Sequence, residues 1–165
     1  MTTAPPPGSV DLSGQWTLSD AEGQHTCAMT LPGDAHSALA LAGILPDPYW
    51  GRNEYDCRWV ADRDWTLYRT ITLDSGDMEL VVSGLDTVAE IWWNGECVLS
   101  ARNAFRSYRV DLTGLARAGE NQVEIRFPSA LRAAAAMQAA QPFYVPYHKE
   151  NSPLAHGNML RKPQC

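Results

Sequence analysis

The sequence lacks a long apolar run and is short of basic residues. No stretch reaches the ~18 apolar residues of a membrane-spanning helix, so no membrane partner is expected. Lys and Arg number 13 against 19 Asp and Glu, which gives a net charge of −6. Because nucleic acids and anionic membranes are bound through basic patches, this balance argues against both as partners.

The N-terminus lacks the basic and apolar segments of a signal peptide. Residues 1–10 are rich in Thr, Ala and Pro, which predicts a disordered leader and makes the cytoplasm the expected location. The sequence also has no Cys-x-x-Cys pair. Its widely spaced cysteines are expected to be free thiols in a reducing compartment, with one disulfide as the open alternative: Cys27, Cys57, Cys97 and Cys165.

The common catalytic and cofactor motifs are missing as well. The sequence contains no Gly-x-Gly-x-x-Gly, no phosphate loop and no Gly-x-Ser-x-Gly elbow. Its histidines do not share a metal-ligand spacing on any predicted element. We therefore predict no metal, no cofactor and no catalytic residue of its own in this chain.

Short apolar runs separated by turn residues are what the sequence has instead. Three of them lie within Met78–Ser100. Asn94 and Gly95 stand between apolar residues and predict a type I′ hairpin turn, because both residues accept a positive φ. Val88–Trp93 does not alternate cleanly, so it is predicted to be a central strand buried on both faces.

Further strands are predicted on both sides of this region, at 11–18, 26–31, 66–73, 105–112 and 121–127. Asp34 is expected to cap a short helix over 36–42, and Ser129 to cap an alanine-rich helix that runs to about Gln141. Eight or so short strands predict an all-β jelly-roll sandwich over residues 11–140 with one short appended helix. Residues 141–165 carry four prolines and are predicted to form an irregular C-terminal tail.

The least regular internal stretch is Ile44–Glu54, with two prolines, a glycine and two aromatic residues. We expect an ordered loop of the kind that carries function on a rigid scaffold. The indole of Trp50 suits either stacking on a sugar or anchoring the loop in the core, whereas Trp59 and Trp65 are expected to be core residues. Glu54 lacks an identifiable partner carboxylate, so we interpret it as paired with Arg52 or Arg58 rather than as a catalytic acid.

Several motifs occur together, in order, over residues 11–165. Their arrangement resembles the N-terminal domain of the family 2 β-mannosidases. The matching segments are Leu12–Trp16, Leu31–Leu39, Ile44–Glu54, Trp59–Val60, Asp64–Trp65, Gly84–Ala89, Asn94–Gly95, Asn103–Arg109 and Asn158–Cys165.

This resemblance implies a jelly-roll, galactose-binding-domain-like sandwich that precedes an immunoglobulin-like domain and a (β/α)₈ barrel. The barrel would hold the two glutamates of a retaining mechanism. In the family, a Gly-Trp-Asp-Trp-Gly motif with sugar contacts follows the segment that ends this chain at Cys165. The chain is therefore expected to be a non-catalytic fragment.

The expected role of this domain is to support the barrel and to wall part of a pocket for terminal β-linked mannose, in a β-mannoside or manno-oligosaccharide. The candidate substrate-binding residues are Trp50, Arg52, Asn53, Glu54, Arg161 and Lys162. Two alternatives are left open. One is a free-standing carbohydrate-binding module, and the other is a purely structural interaction domain, which a large exposed apolar patch would favour.

Overall fold

The structure, a computed structural model, describes residues 8–146 and 156–160. Its strands are β1 (Gly14–Asp20), β2 (Thr26–Leu31), β3 (Trp65–Leu73), β4 (Glu79–Val82), β5 (Ala89–Trp93), β6 (Glu96–Ala101), β7 (Tyr108–Asp111) and β8 (Gly119–Phe127). The helices are α1 (Ala35–Leu41), α2 (Asn53–Asp56) and α3 (Ala130–Ala139), with 3₁₀ turns at Arg58–Asp62 and Gly157–Met159. The predicted all-β sandwich with an appended helix is confirmed.

The described strands form two antiparallel sheets. The large sheet has six strands in the order β2-β1-β3-β8-β5-β6, and the small sheet pairs β4 with β7. Apolar residues alternate with polar ones along β3, where Leu67, Ile71 and Leu73 are buried. Leu67 lies opposite Ile125 of β8. The core therefore lies on the inner face of the large sheet.

The prediction for Val88–Trp93 was wrong in one respect. The strand β5 does lie between β8 and β6. It alternates, however, with Ala89, Ile91 and Trp93 buried and the residues between them half-buried. Trp92 points to the outer face, where the Arg126 guanidinium lies 4.0 Å from its ring centroid. Because a guanidinium covers its ring, the Trp92 indole is stable on the outer face. The sequence Val88–Trp93 therefore carries apolar residues on both faces although only one face is buried.

Local capping and turn chemistry is as predicted. Asn94 and Gly95 have φ values of 49° and 87°, as a type I′ turn requires. The Asp34 carboxylate accepts a hydrogen bond from the Ser37 amide at 2.9 Å and caps α1. The Ser129 hydroxyl accepts from the Arg132 amide at 3.2 Å and caps α3.

The strand predicted at 105–112 is shorter in the structure, where β7 covers Tyr108–Asp111. The Asn103 side chain accepts a hydrogen bond from the Phe105 amide and holds a turn at the start of the predicted strand.

The small sheet covers only part of the large one, and a cavity of about 1620 Å³ opens between them. Its lining includes core residues of the large sheet, among them Trp16, Leu18, Leu67 and Ile71. These core side chains are nonetheless 2–6% exposed, so they are already covered, and the cavity is open to solvent rather than enclosed.

The remaining predictions concern the cysteines, membrane spans, metal sites and the two chain termini. Cys27 is half-buried, Cys57 is buried and Cys97 is exposed, each as a free thiol. No helix within residues 8–146 and 156–160 is long and apolar enough to span a membrane. Over the same residues, no group of three His, Cys, Asp or Glu side chains could hold a metal ion. Residues 1–7 of the predicted leader, and 147–155 and 161–165 of the predicted tail, lie outside the described residues.

Candidate functional site

Residues 46–57 form an exposed connection between α1 and the second half of the large sheet, here called the aromatic loop. Both ends are fixed in the core, because Leu45 and Cys57 are buried. The Cys57 thiol donates to the Pro46 carbonyl oxygen at 3.7 Å, which ties the two ends together. The loop is therefore held at its base, as expected for a segment that presents side chains from a rigid scaffold.

Asp47 organises the tip of the aromatic loop. Its carboxylate accepts from the Tyr49 amide at 2.9 Å. Its backbone carbonyl accepts from the Trp50 amide at 3.2 Å and from the Asn53 side-chain amide at 2.9 Å. The backbone amide of Asn53 in turn donates to the Trp50 carbonyl at 3.2 Å. Two overlapping turns thus fix the backbone on both sides of Trp50.

The tip displays two large aromatic side chains. Tyr49 is 95% exposed and Trp50 is 77% exposed. Trp50 is therefore available for a ligand rather than anchoring the loop in the core. Trp65 is buried as predicted, and the half-buried Trp59 packs against it with ring centroids 6.0 Å apart.

The second half of the aromatic loop is the short helix α2, which sequence reasoning had treated as irregular. Arg58 and Arg52 both place their guanidinium carbons near the Tyr55 ring, at 4.3 and 5.1 Å from its centroid. The predicted pairing of Glu54 with one of these arginines is not found among the ion pairs of the described residues. The arginines stack on Tyr55 instead, which leaves the Glu54 carboxylate exposed at the cavity rim.

Of the six predicted site residues, the structure brings Trp50, Arg52, Asn53 and Glu54 together within one turn and one helix. Arg161 and Lys162 lie outside the described residues. The residue before them, Leu160, is buried and lines the inter-sheet cavity. Sequence reasoning missed Tyr55 and the organising role of Asp47, although an Asp followed by Pro is a recognisable turn signal.

A second polar cluster, also missed, surrounds Asp20 at the end of β1. The Asp20 carboxylate is 1% exposed and accepts from Arg63 at 2.7 Å and from the His25 ring at 2.9 Å. It also accepts from the Gln24 and His25 backbone amides. Burial by itself raises the pKa of Asp20, but the hydrogen bonds from His25 and Gln24 and the charge of Arg63 outweigh it and leave that pKa lowered.

We interpret the arrangement around Asp20 as an anchor that holds the segment before β3 against the end of β1. The Arg63 guanidinium lies 5.4 Å from the Trp59 ring, and the His25 ring lies 4.7 Å from the same indole. Arg63 also pairs with Glu22 at the surface. The sequence does contain a signal for this cluster, because Asp20 occupies the inward position of β1 that follows Trp16 and Leu18, and a buried carboxylate needs hydrogen-bond partners.

The architecture is that of an antiparallel β-sandwich domain with a preformed, exposed aromatic loop. A family model described as "Glycosyl hydrolase 2 galactose-binding domain-like" matches residues 16–165. The chain belongs to this family.

Individual relatives agree with this assignment. The chain is 32% identical to a β-mannosidase of Mus musculus over 166 residues, which is 95% of this chain and 19% of the relative. It is 35% identical to a probable β-mannosidase of Caenorhabditis elegans over 127 residues, 74% of this chain and 14% of the relative. Among solved structures, a β-D-mannosidase of Dictyoglomus thermophilum matches with a TM-score of 0.77 and 26% identity, over 81% of this chain and 17% of that one.

The chain therefore spans about a fifth or less of the length of these relatives. The matched region is a domain-sized part of each relative.

Proposed function

We propose that this chain is the non-catalytic N-terminal domain of a β-mannosidase that removes terminal β-linked mannose. One observation carries the proposal: 95% of the chain aligns with 19% of a β-mannosidase. Hydrolysis of a glycoside with retention needs two carboxyl groups about 5–5.5 Å apart. We place this pair in a (β/α)₈ barrel outside the 165 residues, with an immunoglobulin-like domain between the two.

The role proposed for the domain is to support the barrel and to form part of the wall of the sugar pocket. The aromatic loop supports this role, because its aromatic tip is already ordered before a ligand arrives. Ordering a flexible loop on binding costs free energy, and the hydrogen bonds around Asp47 remove much of that cost.

The residues of the aromatic loop have different proposed tasks. The Trp50 indole stacks on the apolar C–H face of a pyranose, while the charged groups of Arg52 and Glu54 bind hydroxyl groups. The Asn53 side chain already donates to Asp47, so we assign it to positioning Trp50 rather than to direct sugar contact. Arg161 and Lys162 are proposed as further polar contacts to the substrate.

A titration of the 165-residue chain with mannose and manno-oligosaccharides, followed by tryptophan fluorescence, tests this proposal. A domain that supplies one wall of a shared pocket should give no saturable change at submillimolar sugar. Saturation in that range would contradict the proposal and would favour a free-standing carbohydrate-binding module.

A further inference from the structure

The turn that follows α3 displays two adjacent aromatic side chains, here called the second aromatic tip. Phe143 is 64% exposed and Tyr144 is 63% exposed. Single exposed apolar residues are common on protein surfaces, but two consecutive exposed rings form an apolar patch of the kind that ligands cover. Residues 141–146 carry no charged side chain. The second aromatic tip therefore suits a neutral ligand better than an ionic one.

Gln138, in the last turn of α3, fixes the backbone on both sides of the second aromatic tip. Its side-chain amide donates to the Phe143 carbonyl at 3.1 Å. Its side-chain oxygen accepts from the Val145 amide at 3.0 Å. One side chain thus holds this turn in place, as Asp47 does in the aromatic loop. An ordered turn loses less conformational entropy when a ligand binds its rings.

The second aromatic tip is also held from the other side, by residues near the end of the chain. The Tyr144 ring meets the His156 ring edge-on, with centroids 6.2 Å apart. The Asn158 side-chain amide donates to the Pro146 carbonyl at 2.6 Å. The 3₁₀ turn that contains Asn158 packs against α3. The two rings are therefore presented by a turn that is fixed on both sides.

The inter-sheet cavity lies toward the other end of α3. Its lining includes Leu131, in the first turn of this helix, and the buried Leu160. An α-helix rises 1.5 Å per residue, so Gln138 lies ~10 Å along the helix axis from Leu131. This separation exceeds the length of one pyranose ring. The candidate substrate-binding residues 161–162 directly follow Leu160 in sequence, so they lie between the second aromatic tip and the cavity lining along the chain's course.

We propose that Phe143 and Tyr144 form a second sugar platform, which binds the leaving chain of a manno-oligosaccharide beyond the bond that is cleaved. This inference rests on the proposed function and extends it from the terminal mannose to the rest of the substrate. The apolar C–H face of a pyranose stacks on an aromatic ring, and the Tyr144 hydroxyl can donate to a sugar hydroxyl. Gln138 is a positioning residue for both rings.

The separation from the cavity determines which substrates use this platform. A nitrophenyl β-mannoside has one ring after the cleaved bond and is too short to reach the second aromatic tip. Mannotetraose has three sugars after that bond and is long enough. The platform should therefore contribute to the binding of the longer substrate and not to that of the shorter one.

Kinetics with these two substrates test the inference in the longer protein that contains the proposed barrel. Tyr144→Ala should raise KM for mannotetraose about fivefold with kcat unchanged, because the lost stacking is equal in the ground and transition states. KM for the nitrophenyl β-mannoside should change less than twofold. Tyr144→Phe retains the ring and should keep KM for mannotetraose within about twofold. Phe105→Ala, at an exposed aromatic residue elsewhere, should change neither KM.

Gln138→Ala tests the positioning role. It should speed hydrogen exchange of the Val145 amide about tenfold, because that amide loses its acceptor. It should also raise KM for mannotetraose about two- to threefold, again without an effect on the nitrophenyl β-mannoside. An unchanged KM for mannotetraose in both Tyr144→Ala and Gln138→Ala would overturn the inference.

An equal loss of activity on both substrates in Tyr144→Ala, together with a lowered Tm, would also overturn it. That result would show that the second aromatic tip packs against another part of the longer protein. Failure of the proposed function would look different, since the unaltered longer protein would then release no nitrophenol from the nitrophenyl β-mannoside.

Discussion

The side-chain amides of Asn94 and Asn121 meet at 2.9 Å and join the β5–β6 hairpin turn to strand β8. Asn121 is fully buried, and its carbonyl oxygen also accepts from the Trp93 indole at 3.2 Å and the Arg117 amide at 3.0 Å. Its amide nitrogen donates to the Arg117 and Gly119 carbonyls. One buried side chain thus holds three separate segments together.

Replacing Asn121 with Leu is expected to destabilise the domain by roughly 3–5 kcal/mol, because buried donors and acceptors on Trp93, Arg117 and Gly119 would lose their partner. The free energy of unfolding from urea titration measures this. Gln122→Ala, at the neighbouring exposed position, is the control and should change stability by less than about 0.5 kcal/mol. A similar loss in both variants would contradict the assigned role of Asn121.

The lowered pKa of Asp20 predicts a pH-dependent contribution to stability. Because this pKa is lower in the folded protein than in the unfolded chain, the contribution is fully present above about pH 3.9 and is lost as the pH falls through the folded value. Asp20→Asn should therefore cost roughly 2–3 kcal/mol at pH 7 and progressively less below pH 4. Unfolding by urea at a series of pH values tests this.

Glu22→Gln is the matched control for Asp20, since Glu22 pairs with the same Arg63 but its side chain is 63% exposed. Its effect should stay below about 1 kcal/mol at every pH. If Asp20→Asn showed the same small and pH-independent effect, the buried cluster would not be an anchor.

Trp50→Ala, in the longer protein proposed above, tests whether the Trp50 indole stacks on the sugar. Loss of stacking that is equal in the ground and transition states should raise KM for a nitrophenyl β-mannoside about tenfold with kcat unchanged. Because Trp50 is 77% exposed, stability should be unaffected. Phe105→Ala, which removes an aromatic side chain that is 70% exposed elsewhere on the domain, should leave both constants unchanged. An unchanged KM in the Trp50 variant would remove this residue from the pocket.

Asn53→Ala tests whether the Asn53 side chain positions Trp50 or contacts the sugar directly. The lost hydrogen bond to Asp47 should speed amide exchange at Trp50 and raise KM about two- to fivefold. Asp56→Asn, on the same helix, is expected to change neither. A raised KM with unchanged exchange at Trp50 would instead place the Asn53 side chain on the sugar.

Most of the fold could be predicted because its signals are local. The alternation of β3 and β8, the Asn94-Gly95 turn and the caps at Asp34 and Ser129 each depend on residues close in sequence. The outward position of Trp92 could not be predicted, since it depends on Arg126 from a neighbouring strand.

The candidate site was only partly predictable for the same reason. The composition of residues 44–54 indicated a functional loop, but the exposure of Trp50 depends on how that loop sits on the core. The arginines near Glu54 had two acceptable partners, and both guanidinium groups lie over the Tyr55 ring instead of pairing with the Glu54 carboxylate. The pairing of Asp20 with Arg63 joins residues 43 positions apart, which no local pattern reveals.

The most direct test of the account is a hydrolysis assay with nitrophenyl β-mannoside on two proteins, the short chain and the full-length protein. If the domain walls a pocket whose carboxylates lie elsewhere, the full-length protein should release nitrophenol and the short chain should release none above background. Release of nitrophenol by the purified short chain would contradict the account.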